Sequence, residues 1–213
     1  MNSWKRYLGV LALGSALLAA PALAEDGAHD KSPPADAQAA GCSEMEAMMK
    51  YAQPGEHHKH LQALEGCWSA SCKAWMGQKE PQVSDGRSAN RMVLGGRFLE
   101  QRYESSFSGM PFSGIGMTGY DTYRKAYVGT WSDTFGTTIT HYLGHCTNDG
   151  KTMVALGSYT NVATGKQAQQ KNVTRVLGPD QHTFEMYDMG ADGKWSKMME
   201  ITYTRHDCKG GCK

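Results

Sequence analysis

The chain has 213 residues, with 22 Lys or Arg against 21 Asp or Glu and a formal net charge of +1. So even a balance offers no basic face to a phosphate backbone, which excludes an electrostatically driven nucleic-acid binder. Hydrophobic residues make up 40%, enough to build a core in one domain, and the composition is neither disordered nor collagen-like.

The first 24 residues read as a secretory signal: Lys5 and Arg6 open it, an apolar run follows over 8–20, and Ala22-Leu23-Ala24 gives an A-x-A cleavage site. The run is shorter than the ~18–20 residues a membrane-crossing helix needs, and no later stretch is as apolar. The expected mature protein therefore starts near Glu25, has no membrane span and is periplasmic or secreted. Cleavage removes two basic residues, leaving 20 against 21 acidic ones and a net charge of −1. Ala39-Ala40-Gly41-Cys42 resembles a lipoprotein box, but the polar, Pro-containing stretch over 25–38 separates it from the apolar run and argues against acylation of Cys42.

Residues 25–42, with Pro33-Pro34 and no apolar period, read as a flexible leader. Order is expected from Ser43, where Ser43 and Glu46 form a capping box ahead of a stripe of Met45, Met48, Met49 and Ala52 at helical spacing. Pro54-Gly55 ends that helix. A second one over 56–65 places His57, His60, Leu61 and Leu64 on one face, and Gly66 stops it. Together, residues 43–66 are read as a helical cap.

From Cys67 the period changes to two, rich in Tyr, Thr, Val, Phe and Trp. Ten strands are predicted over 67–76, 82–94, 97–107, 111–121, 126–134, 137–147, 152–160, 168–177, 181–189 and 194–206. Gly95-Gly96, Asn148-Asp149-Gly150, Gly165-Lys166, Gly178-Pro179-Asp180 and Asp192-Gly193 supply turns between them, whereas Asp85-Gly86 falls within the second strand and either splits or bulges it. Short strands joined by tight turns favour an up-and-down meander, and closure removes its edges. The fold class is all-β: a single antiparallel barrel of about ten strands over 67–206, with a two-sheet sandwich as the alternative.

Six cysteines, Cys42, Cys67, Cys72, Cys146, Cys208 and Cys212, all lie in the exported part and are disulfide candidates, allowing up to three bridges. Cys67 and Cys72 point to opposite faces of one strand and cannot bond each other. The two others at the end belong to a short tail over 207–213.

Gly66-Cys67-Trp68 at the start of the first strand resembles the G-x-W signature of lipocalins and their calycin relatives, with Arg205 in the place of their partner arginine. That resemblance implies a structural cation-π pair of Trp68 and Arg205 closing one end of a barrel. Over longer stretches, 48–68, 94–104, 111–133, 182–187 and 197–205, the chain resembles the bacterial family known as domain of unknown function 1579. This implies a calycin-like barrel and brings no established activity, substrate or catalytic residues. The tail Cys208-Lys209-Gly210-Gly211-Cys212 and the region from His141 to Cys146 depart from the family pattern. The bacterial host implied by the resemblance would leave the Asn172-Val173-Thr174 sequon silent.

Gly114-Ile115-Gly116-Met117-Thr118-Gly119 is a literal G-x-G-x-x-G, but strand-forming residues follow it where a dinucleotide site needs a helix. Its glycines are better suited to a coiling strand or a close backbone approach. Met45, Met48, Met49, His57, His58, His60 and Cys42 have soft and borderline donors that suit copper or zinc, with His57 and His60 on one helical face as the weak metal candidates. Core packing is the simpler role for the methionines and for the other two histidines, with His58 solvated. His141 and His145 share a strand face at about 13 Å, too far apart for one metal. There is no C-x-x-C-H for covalent haem, and no G-x-S-x-G, H-E-x-x-H or P-loop, so the chain is not expected to be an enzyme.

Two parities remain open for the third strand. Glu100 and Arg102 inside would form a polar anchor; Leu99, Gln101 and Tyr103 inside would make the interior more apolar or filled. The candidate cavity residues are Arg102, Tyr103, Tyr127, Trp131, His141 and Met186. The expected function is binding of a small apolar or amphipathic molecule by an exported lipocalin-like barrel, with no cofactor, no nucleic-acid partner and an open oligomeric state. The alternatives are periplasmic binding of copper, zinc or non-covalent haem, and a filled barrel acting as a structural or interaction module.

Overall fold

In the computed structural model the described residues are 35–208 apart from Met76 and Asn148, with side chains from Ser43 onward. The signal-like segment, the Cys42 side chain and Cys212 lie outside them. Among the described residues, no helix is long and apolar enough to cross a membrane.

The period-two pattern forms ten strands: β1 (Gly66–Ala74), β2 (Gln82–Val93), β3 (Phe98–Phe107), β4 (Met110–Asp121), β5 (Ala126–Asp133), β6 (Thr140–Cys146), β7 (Thr152–Asn161), β8 (Lys166–Gly178), β9 (Gln181–Met189) and β10 (Trp195–His206). Each pairs antiparallel with its sequence neighbours, and β1 also pairs with β10, so the sheet closes into a barrel and leaves no edge. The closing seam puts Trp68 opposite Arg205 and Ala70 opposite Tyr203. Asp85-Gly86 does not interrupt β2, which runs unbroken past both residues.

Strand parity divides interior from exterior. Buried Trp68, Ala70, Cys72 and Ala74 alternate with exposed Ser69, Ser71 and Lys73 along β1, and cross-strand register carries the inward set round the barrel. On β3 it selects Leu99, Gln101 and Tyr103 for the interior. One core cluster joins Trp68, Ala70, Cys72, Tyr103, Ile201 and Tyr203 across the β10–β1–β3 side. A second, of Leu61, Leu64, Leu99 and Tyr127, fills the end where β1 begins. We call that end the foot and the opposite one the rim.

Two helices precede the barrel, α1 (Ala35–Tyr51) and α2 (Glu56–Gln62). α1 starts eight residues before the Ser43 capping box, because Ala35, Ala37, Ala39 and Ala40 are strong helix formers. Its last turn is tied down: Thr122 Oγ1 donates to the Tyr51 carbonyl at 2.8 Å and Arg97 Nε to the Ala52 carbonyl at 2.9 Å. The methionine stripe does not pack, contrary to its spacing, since Met45, Met48 and Met49 are 58%, 66% and 58% exposed. α2 and the turn that follows it plug the foot with Leu61 and Leu64. His58, expected in solvent, is buried there instead, because in a helix this short its Nδ1 turns back to accept from the Gly55 N–H at 2.9 Å.

Candidate functional site

The foot is sealed by Trp68. Its indole is fully buried and donates through Nε1 to the Leu64 carbonyl at 3.0 Å. The Arg205 guanidinium lies 4.1 Å from the indole centroid, while Nη1 donates to the Glu65 carbonyl and Nε to the Pro179 carbonyl, each at 2.8 Å. Gly66 is required beside them: its φ is +131°, and a Cβ there would sit 2.2 Å from Arg205 Nη1. The pairing that the G-x-W resemblance implied is therefore present, and its glycine has a steric reason. Outside this seal Cys67 is bonded to Cys208, stapling β1 to the end of β10.

His57 and His60 also meet at the foot. His57 stacks on Tyr120 at 4.0 Å, and the Tyr127 hydroxyl lies 2.9 Å from His60 Nδ1. Burial pushes the pKa of the Tyr127 hydroxyl up, with Cys146 adding to it. Both rings are thus engaged in contacts with tyrosines, and no group of three or more His, Cys, Asp or Glu residues that could hold a metal occurs among the described residues.

Above the foot the lumen has two unlike sides. On the β10–β1–β3 side it is mainly apolar and aromatic, with Ser84, Gly86 and Ser88 of β2 and Gln101 of β3 adding small and polar groups. On the β6–β9 side the inward positions are Tyr142, Tyr159, Gln170, Asn172, Met186 and Asp188. The Tyr142 hydroxyl donates to Gln170 Oε1, Gln170 Nε2 lies 2.9 Å from Met186 Sδ, and Tyr159 donates to Asp188 Oδ2 at 2.7 Å. Two oxygens of this group, Asn172 Oδ1 and Asp188 Oδ1, are buried without a hydrogen-bond partner. An orphaned buried acceptor costs about 1–3 kcal/mol. Burial raises the pKa of the Tyr142 hydroxyl, and that of Tyr159 is pushed up to about 12 by burial and its bond to Asp188.

Glycines set how the rings lie. Trp131 covers Gly114 and Gly116, where a Cβ at Gly114 would stand 2.2 Å from its ring, and Tyr142 covers Gly157 in the same way at 2.6 Å. A large ring laid against a cross-strand glycine lies along the wall and turns a face toward the lumen. This is the role of the G-x-G-x-x-G run, all of it within β4. Trp131 is pinned there by its Nε1, which donates to Asp133 Oδ2 at 2.8 Å.

Of the six candidate cavity residues, Tyr103, Tyr127, Trp131 and Met186 face the interior. Arg102 and His141 do not. Parity puts Arg102 on the outer wall, with Nε 3.0 Å from Glu100 Oε1, and His141 is exposed on the outside of β6. His141 instead borders an open hollow of about 690 Å³ lined mainly from the outer wall, by Phe98, Val128, Leu143 and Leu156, and reached also by Tyr142 and Gln170. Four cysteine candidates are also placed: Cys67 and Cys208 form the bridge, while Cys72 and Cys146 are free thiols facing inward.

Asp188, Asn172, Tyr142 and Tyr159 are absent from the sequence-derived set, because polar types on strands read as solvent-facing when register is unknown. His182 is likewise buried, 3% exposed, and stacked on Tyr203.

A closed ten-stranded antiparallel barrel, plugged at one end and lined with polar and aromatic groups toward the other, defines a class of small barrel proteins. The chain belongs to the family described as Protein of unknown function (DUF1579), which it matches over residues 53–205. No curated protein matches it. Among solved structures, Rv2717c from M. tuberculosis is 16% identical, covering 72% of this chain and 99% of its own, with a TM-score of 0.50. A redesigned beta barrel, b11L5F_LGL, is 15% identical over 70% of this chain and 96% of its own, with a TM-score of 0.38. At such identity the likeness to Rv2717c concerns the fold alone.

Proposed function

We propose that the protein is an exported binder of a small amphipathic molecule, held in the barrel lumen and entering from the rim. The observation that carries this reading is the pair of orphaned acceptors, Asn172 Oδ1 and Asp188 Oδ1, on a polar wall facing an aromatic one. A ligand with a donor-bearing head and an apolar body offsets the cost of those acceptors and uses both walls. Export is supported by the signal-like segment over 1–24 and by the Cys67–Cys208 bridge, which belongs to an oxidising compartment.

The test is native mass spectrometry on the protein exported to a bacterial periplasm, followed by two variants. A bound organic mass is expected, lost in Asn172→Leu and kept in Leu156→Ser, which alters the hollow on the outer wall. Loss in Leu156→Ser alone moves the site outside, and a bare polypeptide mass with no titratable ligand overturns the reading.

One observation favours a second reading. Met45, Met48 and Met49 stand at i, i+3 and i+4 on α1, all more than half exposed, so three thioethers are free for a soft ion such as Cu(I). Titration with Cu(I) against a chromophoric chelator tests it. One equivalent bound by the native chain and none by the triple Met→Leu variant is the expected result; equal binding by both removes the reading.

A further inference from the structure

The upper lumen contains carboxylates and no paired cation. Asp188 faces inward from β9, one oxygen receiving the Tyr159 hydroxyl and the other orphaned. Asp133 follows the same parity at the end of β5, held by Trp131 Nε1 at 2.8 Å and the Phe135 N–H at 2.9 Å. All of these donors are neutral, and neither carboxylate is paired with a cation among the described residues. Both carboxylates act on Tyr142 between them, adding to the effect of burial in raising its pKa.

Among the described residues, the cations along these walls are engaged elsewhere or stand exposed at the rim. Arg205 is at the foot over Trp68. Lys171 lies over Tyr187 and Trp195 on the outer wall, and Arg175 and Lys197 both pair with Glu185 there. Lys166 starts β8 at the rim, exposed. Around the two carboxylates the wall is aromatic: Trp131 and Tyr142 present faces, Phe112 stands one step nearer the rim, and Phe184 packs against the core below. A cation over such faces gains about 0.5–2 kcal/mol, most when desolvated.

We propose that the molecule bound in this lumen is an organic cation, a primary ammonium attached to an apolar body, with Asp188 as its counter-ion. This rests on the lumenal-binding reading above and narrows it. The ammonium rather than a quaternary nitrogen follows from the orphaned acceptors. Asn172 pairs with Met186, and Gln170 with Asp188, so Asn172 and Asp188 are diagonal neighbours on adjacent strands. A head with three N–H donors can serve Asp188 Oδ1 and Asn172 Oδ1 together and turn its remaining charge to the Trp131 and Tyr142 rings. A carboxylate head in the same place would be repelled by both aspartates.

The full chain is titrated at pH 7 with decylammonium, decyltrimethylammonium, decanol and decanoate below their micellar concentrations, followed by calorimetry and tryptophan fluorescence. Decylammonium is expected to bind at least tenfold more tightly than decanol and decyltrimethylammonium, and decanoate most weakly. Asp188→Asn should erase that preference while leaving decanol unchanged. Asp133→Asn, an independent variant should the first fail to fold, should lower decylammonium affinity several-fold. Binding of decanol or decanoate as tight as that of decylammonium, or an unchanged preference in these variants, overturns the cation assignment and leaves lumenal binding standing. Failure of all four probes overturns both.

Discussion

The His182 imidazole lies parallel to the Tyr203 ring, 4.3 Å between centroids and 11° between planes, and the Trp68 indole meets it edge-on at the same distance. Its Nδ1 is buried without a partner. Burial, reinforced by the charge of Arg205, depresses the imidazole's pKa from 6.5 to about 4. Between those values the unfolded chain takes up a proton that the folded one refuses. The contribution is complete above pH 6.5, declines as pH falls, and is gone near pH 4, a loss of about 3 kcal/mol. Urea unfolding from pH 7.5 to 4 should follow that decline. In His182→Phe, which keeps a stacked ring and removes the orphaned nitrogen, the stability difference from the native chain should shrink or reverse at low pH. A pH-independent difference would contradict the buried neutral state.

Arg205 performs three tasks with one planar group: it covers Trp68 and caps the carbonyls of Glu65 and Pro179. A lysine keeps the charge and cannot reproduce the fork. Arg205→Lys is expected to destabilise by about 1–3 kcal/mol, read as a lower urea midpoint with an unchanged slope. Gly66→Ala should cost at least as much, because the new Cβ meets the guanidinium and φ is left-handed.

The ten strands were legible because turn residues punctuate a period-two pattern at short intervals, and closure followed from edges that needed partners. The faces were harder. Outer positions such as Ile115, Leu143 and Leu156 are apolar yet about half exposed, while inner ones such as Asn172 and Asp188 are polar, so residue type misreports orientation. Register resolves it. Once Trp68 is inside, pairing transmits that parity from β1 to β9, and Arg102 and His141 fall outside. The methionine stripe failed for a different reason: helical spacing reports a face, not whether anything covers it. The lumenal carboxylates were hidden because they come from β5 and β9, brought together only by closure.

The cysteines divide by compartment of the fold. Cys67 points outward to Cys208, and Cys72 and Cys146 point inward, where burial raises both thiol pKa values and slows reaction. In a chain carrying Cys42→Ser and Cys212→Ser, thiol counting without reductant should find two free thiols after unfolding and almost none before. Reductant should then lower stability by about 2–4 kcal/mol, since the bridge closes a long loop. Four free thiols on unfolding would remove the bridge.

Trp131 is held against β4 by the lack of side chains at Gly114 and Gly116, and against β5 by Asp133. A methyl group at position 114 cannot coexist with the ring as placed, because its nearest atom would be 2.2 Å away and belongs to a rigid indole. Gly114→Ala must therefore swing the ring into the lumen or toward the rim, breaking the bond from Nε1 to Asp133. The expected cost is about 1–3 kcal/mol, in the range for overpacking. Stability alone would not separate this from general damage, so the decisive readout is optical. Trp131 emission, isolated as the difference from a Trp131→Phe chain, should change in wavelength in Gly114→Ala and stay unchanged in Gly109→Ala, whose added methyl meets nothing within 4 Å. Gly109 has φ of +78°, so this control carries backbone strain without touching the ring. If both variants lose stability equally and neither moves the emission, the glycines of β4 serve the backbone and not the indole.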